Sequence, residues 1–260
     1  MRELAERIYF LLCRGAGRLL RGGRYSTTRI VDDDGALAVR KARRFYAPLL
    51  VSLGDPLVRI LDTGVMVLPQ RDWEERERLL NGKLRGSPVR TDADGTLVLP
   101  HLPGETLATL LEDPALDESA RTRAIELAVV ALAELHSLGF THGDAMAENV
   151  MVDLDARAAH WFDFETMHDP SRPVAWRRAD DVRALLATSL LRTIPEELAD
   201  TLDRILDAYG DDAATPLLAA SFTSVLRRPL TFHLGQAPLS FRCFRDVGRL
   251  LRKRVADRGP

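Results

Sequence analysis

Apolar positions along this chain follow a helical period in some stretches and a strand period in others. The clearest helical stretch is 118–138, where Ile125, Ala128, Val129, Leu132 and Leu135 fall on one face. Residues 2–21 read as a basic amphipathic helix closed by Gly22-Gly23. Residues 71–81 are charged and strongly helical, and 107–111 open another helix. Residues 24–31 are rich in β-branched side chains and predict a strand. The turn signal Asp-Asp-Asp-Gly at 32–35 then returns the chain through 36–41 as a hairpin. Short apolar runs at 57–61, 64–68 and 97–99 predict further strands, and 100–104 interrupts regular structure. Beyond residue 180 the pattern is helical, with breaks near Pro195, Gly210, Pro229 and Pro238.

Strands thus gather in residues 1–100 and helices in 101–260, with the boundary near 99–104. This segregation predicts an α+β arrangement, and a cleft between two unlike lobes is a natural ligand site. The 260 residues suffice for one large domain or two small lobes.

Composition narrows the function classes. With 46% hydrophobic and 28% charged residues, the chain reads as a soluble globular protein. No apolar run approaches the ~20 residues that span a bilayer, and the short run at 8–13 follows Glu3 and Glu6, unlike a signal peptide. Cys13 and Cys243 have no metal-ligand spacing, and a reducing, cytoplasmic setting is the expectation. A net charge of −2 argues against dedicated nucleic-acid binding. The ends are basic, however. Residues 1–50 carry eleven Arg/Lys against five Asp/Glu, and 222–260 carry nine against two. These are solvated helix faces or docking surfaces for an anionic partner, such as a membrane surface, a phosphorylated substrate or RNA.

Chemistry concentrates after the long helix. Thr141-His142-Gly143-Asp144-Ala145-Met146-Ala147-Glu148-Asn149 precedes a strand-like Val150-Met151-Val152, and a second strand-like piece ends in Trp161-Phe162-Asp163-Phe164-Glu165. Phosphoryl transfer needs a carboxylate to orient the acceptor hydroxyl and take its proton, and oxygen ligands for Mg²⁺. A hairpin between Asn149 and Asp163 brings an amide and a carboxylate together for the metal and leaves Asp144 for the acceptor.

His-Gly-Asp, an asparagine five positions beyond the aspartate, then Asp-Phe-Glu resembles the catalytic and metal-binding loops of the protein-kinase-like superfamily. The style is closest to aminoglycoside and choline phosphotransferases and to lipopolysaccharide-core and related atypical kinases. The resemblance implies a bilobal fold, ATP and Mg²⁺. It implies Asp144 as catalytic base, Asn149 and Asp163 as Mg²⁺ ligands, and His142 as a brace for the loop. It also implies a strand lysine on the nucleotide phosphates, paired with a helix glutamate. Only Lys41, Lys83 and Lys253 are lysines, and Ala38-Val39-Arg40-Lys41 resembles the family's lysine strand. Glu77 is the expected partner and Glu74 the alternative, with Arg59 as an alternative cation. Leu99, His101 and Leu102 resemble the interlobe hinge that meets adenine. Gly22-Gly23 with Ser26-Thr27-Thr28, or Gly15 and Gly17, would stand for a phosphate-covering loop. Asp181, or Asp180, is expected to hold the catalytic-loop backbone.

Departures from the pattern shape the expected acceptor. Gly143 replaces the arginine of His-Arg-Asp, so regulation by loop phosphorylation is not expected. Seventeen residues lie between Asp163 and Asp181, leaving little chain for a peptide platform. Both favour a small-molecule, sugar or glycolipid acceptor. Met146 stands where relatives carry a cation, a charge that Arg172 or Arg177 could supply, and Glu165 replaces the flexible glycine of Asp-Phe-Gly. An atypical Ser/Thr protein kinase and a nucleotide-binding pseudokinase scaffold are the alternatives.

Overall fold

The computed structural model describes residues 26–33, 35–44, 64–190, 197–210, 214–222 and 241–257. The helix expected at 2–21, the run at 57–61, Gly15, Gly17, Gly22, Gly23, Arg59, Pro195, Pro229 and Pro238 lie outside them.

The hairpin forms as the turn signal dictates. Strands β1 (Ser26–Asp33) and β2 (Ala36–Arg43) pair antiparallel with Thr28 opposite Lys41. Gly35 takes φ +85° and donates its N–H to Asp32 Oδ1 at 2.7 Å. Strand β3 (Val65–Val67) follows, then helix α1 (Gln70–Arg85), closed by Gly86 in the left-handed conformation. Strands β4 (Arg90–Thr91) and β5 (Leu97–Pro100) complete an antiparallel sheet of order β1-β2-β5-β4, which puts the Lys41 strand at its centre.

Residues 101–104 lead to β6 (Glu105–Thr106), α2 (Leu107–Glu112) and α3 (Glu118–Ser137). Asp117 caps α3, its carboxylate accepting the Ala120 N–H at 2.7 Å. A 3₁₀ turn (Ala147–Asn149) feeds β7 (Val150–Asp153) and β8 (Ala158–Trp161), which form a three-stranded sheet with β6. After β9 (Thr166–His168) come α4 (Val174–Ser189), α5 (Leu198–Tyr209), α6 (Ala214–Ser221) and α7 (Phe241–Asp257). The fold is therefore mixed α+β, with a strand-rich N-terminal and a helical C-terminal region.

Burial follows the helical stripes. Ile125, Leu132 and Leu135 of α3 pack with Leu185 of α4, Ile205 of α5 and Leu251 of α7 in one large core. Helix α4 is buried on all sides from Ala179 to Ser189, so it runs through the centre of this region. A separate small core joins Leu68, Trp73 and Leu97. Among the described residues no helix is long and apolar enough to cross a membrane.

One strand pairs in a way that local pattern does not reveal. The 64–68 run forms β3, but it leaves the main sheet and pairs antiparallel with β9, Val65 opposite His168. Leu68 N–H and Asp169 N–H extend the match to Glu165 O and Gly64 O, each at 2.9 Å. The chain just before α1 is thereby tied to the chain just after Asp163.

Candidate active site

Helix α1 shows the first anomaly. Its buried stripe is Trp73, Glu77, Leu80 and Asn81, so two of four inward positions are polar. Buried polar groups need partners: Asn81 bonds to Glu77, and Glu77 pairs with Lys41. The Lys41 side chain is 6% exposed, and its ammonium lies 2.5 Å from Asp163 Oδ1, 3.0 Å from Glu165 Oε1 and 3.5 Å from Glu77 Oε1. Burial alone would lower the Lys41 pKa, but Asp163, Glu77 and Glu165 together raise it, so the ammonium stays charged. Burial pushes Glu77 up, and Lys41 offsets this in part. Trp73 Nε1–H donates to Glu77 Oε1 at 3.2 Å, and the Lys41 ammonium lies 5.2 Å from the Trp73 ring centroid.

Glu74, the alternative partner, is spent on its own helix. It accepts from Gln70 Nε2 at 2.6 Å and pairs with Arg78 at 3.6 Å.

Lys41 and Glu77 open onto a cleft. Of the residues singled out in the sequence, Lys41, Glu77, Leu99, His101, Leu102 and Asp163 line it together. Ile30 and Val39, opposite one another on β1 and β2, add apolar wall, and Met151 of β7 faces in from the C-terminal region. Asp144 and Asn149 do not line this cleft. They are joined to each other, with Asn149 Nδ2–H donating to Asp144 O at 2.8 Å and to Asp144 Oδ2 at 3.0 Å.

The loop bearing Asp144 is fixed from below. Asp181 accepts the His142 N–H at 2.7 Å on one oxygen and the Gly143 N–H at 2.8 Å on the other. His136 Nε2, 2.9 Å away, shares the first oxygen. Burial would raise the Asp181 pKa, but the imidazoles of His168, His136 and His142 more than offset it, and the carboxylate stays ionised. Asp180 faces His168 Nε2 at 3.1 Å instead. Gly143 has φ +87°, and a Cβ there would lie 2.9 Å from Met167 Cα. Only glycine fits, and any larger side chain at 143 would press on the Met167 backbone.

His142 joins this loop to the next. Its Nε2–H donates to Phe162 O at 2.9 Å, while Nδ1 accepts the Asp144 N–H at 3.2 Å. Phe162 N–H donates to Asn149 O at 3.0 Å, and Phe164 N–H to Glu77 Oε1 at 3.3 Å. Between them Asp163 holds φ +65°, a left-handed conformation uncommon outside glycine. Such strain persists where the surroundings over-determine it, and it clusters at functional sites.

Several residues here escaped sequence reasoning. Arg76 Nη2 donates to Thr141 O at 2.5 Å, tying α1 to the Asp144 loop. Asn81 Nδ2–H donates to Glu77 O at 2.8 Å and Oε2 at 3.2 Å. Arg85 donates to Asn81 Oδ1 and to Trp161 O, and burial lowers its pKa to about 10. The signal was present. Glu77, Asn81 and Arg85 recur every four residues, a polar line along a helix face that should be apolar. Glu165 does more than replace a flexible glycine, since its carboxylate reaches Lys41. Arg172 stacks on Trp176 at 5.4 Å, and neither it nor Arg177 lines the cleft.

The donor set suits Mg²⁺ and a polyphosphate. Mg²⁺ takes one or two protein carboxylates plus substrate phosphates. Asn149 has its N–H side committed to Asp144, so Oδ1 is the atom it could offer a cation, and the Asp163 side chain is 36% exposed at the cleft. Among the described residues no group of three or more His, Cys, Asp and Glu side chains is placed to hold a metal unaided. No protein-family model and no curated protein matches the chain.

Proposed function

We propose that this chain is an ATP- and Mg²⁺-dependent phosphotransferase of protein-kinase-like, bilobal fold, moving the γ-phosphoryl group to a hydroxyl of a small-molecule, sugar or glycolipid acceptor. One observation carries the reading. The Lys41 ammonium sits between Glu77 of α1 and Asp163 in the wall of a cleft that Leu99, His101 and Leu102 also line. These residues come from four separate stretches of chain, and each stretch has a distinct duty in phosphoryl transfer.

Lys41 presents its charge to phosphate oxygens, and Glu77 holds it there. Leu99, Ile30 and Val39 give a purine an apolar slot, and the backbone at His101 and Leu102 gives it hydrogen-bonding groups. Asn149 and Asp163 are the oxygen ligands for Mg²⁺, which neutralises charge on the phosphates when bound. Asp144 accepts the acceptor's hydroxyl proton, and Asn149 Nδ2–H on its Oδ2 fixes the carboxylate plane. The chain between Asp163 and α4 is taken up by β9 and its pairing with β3, which favours a small acceptor over a docked peptide.

A second reading, a nucleotide-binding scaffold with little turnover, is favoured by Met146 beside Asp144 and by Glu165 on Lys41. Calorimetry of ATP with and without Mg²⁺, on wild type and Asp163→Ala, tests the site. Mg²⁺-dependent binding lost in the variant supports it, and no binding in any condition overturns it. Turnover against an acceptor panel then separates enzyme from scaffold.

A further inference from the structure

The turn that carries Asp163 is held at four backbone groups. His142 takes Phe162 O, Asn149 takes Phe162 N–H, Glu77 takes Phe164 N–H, and Arg85 takes Trp161 O. The first three holders are residues with a part in the proposed site. Arg85 has none so far, although it lines the cleft and lies two helical turns beyond Glu77. Its other guanidinium nitrogen goes to Asn81, whose amide returns to Glu77. Arg85, Asn81 and Glu77 thus form one continuous line of hydrogen bonds, with each end on the Asp163 turn: Arg85 before it and Glu77 after it.

We infer that Arg85 is a positioning residue for the metal ligand Asp163, acting through the Trp161 carbonyl and, by way of Asn81, through Glu77. The left-handed Asp163 costs conformational energy and needs restraint on both sides. Arg85 supplies the N-terminal restraint. Its planar fork serves two acceptors at once, which a lysine ammonium on a shorter reach does not reproduce. The inference rests on the phosphotransferase reading for the word "ligand", but the restraint itself is a property of the chain alone.

Two measurements on Arg85→Ala, Arg85→Lys and the control Arg78→Ala separate these. The first is amide hydrogen exchange without ligand. Arg85→Ala should speed exchange at Phe162 and Phe164 by about tenfold or more while the α3 amides keep their protection, and Arg85→Lys should recover little of it. Arg78, which bonds Thr91 and Glu74 on the exposed side of α1, should have no such effect. The second is ATP calorimetry across Mg²⁺ concentrations. The half-maximal Mg²⁺ concentration should rise ~10-fold in Arg85→Ala, the scale expected when a ligand's outer support is lost, a larger change than any in metal-free ATP affinity. Exchange at 162–164 equal to wild type overturns the role of Arg85. So does general loss of protection throughout the helical region, which would mark a merely structural residue. Wild type without Mg²⁺-dependent ATP binding overturns the functional reading instead, and leaves the exchange result to decide Arg85.

Discussion

His142 donates its Nε2–H to the carbonyl of Phe162 at 2.9 Å and so bolts the Asp144 loop to the Asp163 turn. Its Nδ1 accepts the Asp144 N–H, so the ring must be neutral with the proton on Nε2. Burial pushes its pKa down from 6.5 to about 4. The unfolded chain therefore binds the extra proton first as pH falls. The His142 contribution to stability is complete above about pH 6.5 and is lost progressively towards pH 4, by about 3 kcal/mol in all. His168, also pushed down by burial, adds to the same slope. Urea unfolding from pH 7 to pH 4 should show stability falling with pH, and His142→Gln should flatten part of that fall. Parallel curves for the two proteins would contradict the assigned tautomer.

Asp144 and Asp163 sit on different loops and should fail differently. Asp144→Ala should lose ~10²–10⁴-fold in turnover while nucleotide binding survives, because only proton acceptance is removed. Asp163→Ala should abolish the Mg²⁺-dependent part of nucleotide binding. Steady-state kinetics and calorimetry on the pair check this, and full turnover in both variants would refute the site.

Gly143 and Gly35 share a positive φ, +87° and +85°, but differ in surroundings. A Cβ at Gly35 meets nothing within 4 Å, whereas at Gly143 it lies 2.9 Å from Met167 Cα. Gly35→Ala should cost about 1 kcal/mol of backbone strain. Gly143→Ala should cost clearly more, since backbone must also move, and should lower Tm further and disturb the Asp144 loop. Thermal melts of the two variants side by side give the comparison.

Lys41 pairs with Glu77, Asp163 and Glu165 at once. Lys41→Met should destabilise the protein by about 3–5 kcal/mol, because the buried carboxylates of Glu77 and Glu165 lose a counter-charge. Glu165→Gln in the same chain should restore part of the loss. A double-mutant cycle in denaturant reads the coupling, and additive effects would show that Glu165 and Lys41 do not interact.

Much of this was legible in the sequence, for identifiable reasons. The α3 stripe of Ile125, Ala128, Val129, Leu132 and Leu135 is a local periodicity, and the observed helix ends one residue short of the expectation. The β1–β2 hairpin follows from Asp32 and Gly35, whose turn chemistry is also local. Strands β4, β6 and β9 leave no sequence signal, because two or three residues are too few to show a period. The β3–β9 pairing was invisible for another reason. Its partners are about a hundred residues apart, and they meet only once Leu68 packs into the small core and Gly64 lies close against Trp176.

The sequence by itself determined which residues could do chemistry. Three lysines left few candidates for a buried cation, and the order of His142, Asp144, Asn149 and Asp163 is fixed by the chain. Tertiary structure alone decided what those residues touch. Lys41 meets Asp163 across 122 positions, Glu165 turns inward to the same ammonium, and Arg85 reaches the Trp161 carbonyl across 76 positions. Local periodicity says which way a side chain faces on its own element. Which buried charge it then meets depends on how the elements close on one another, and a desolvated ion accepts only a complete set of partners.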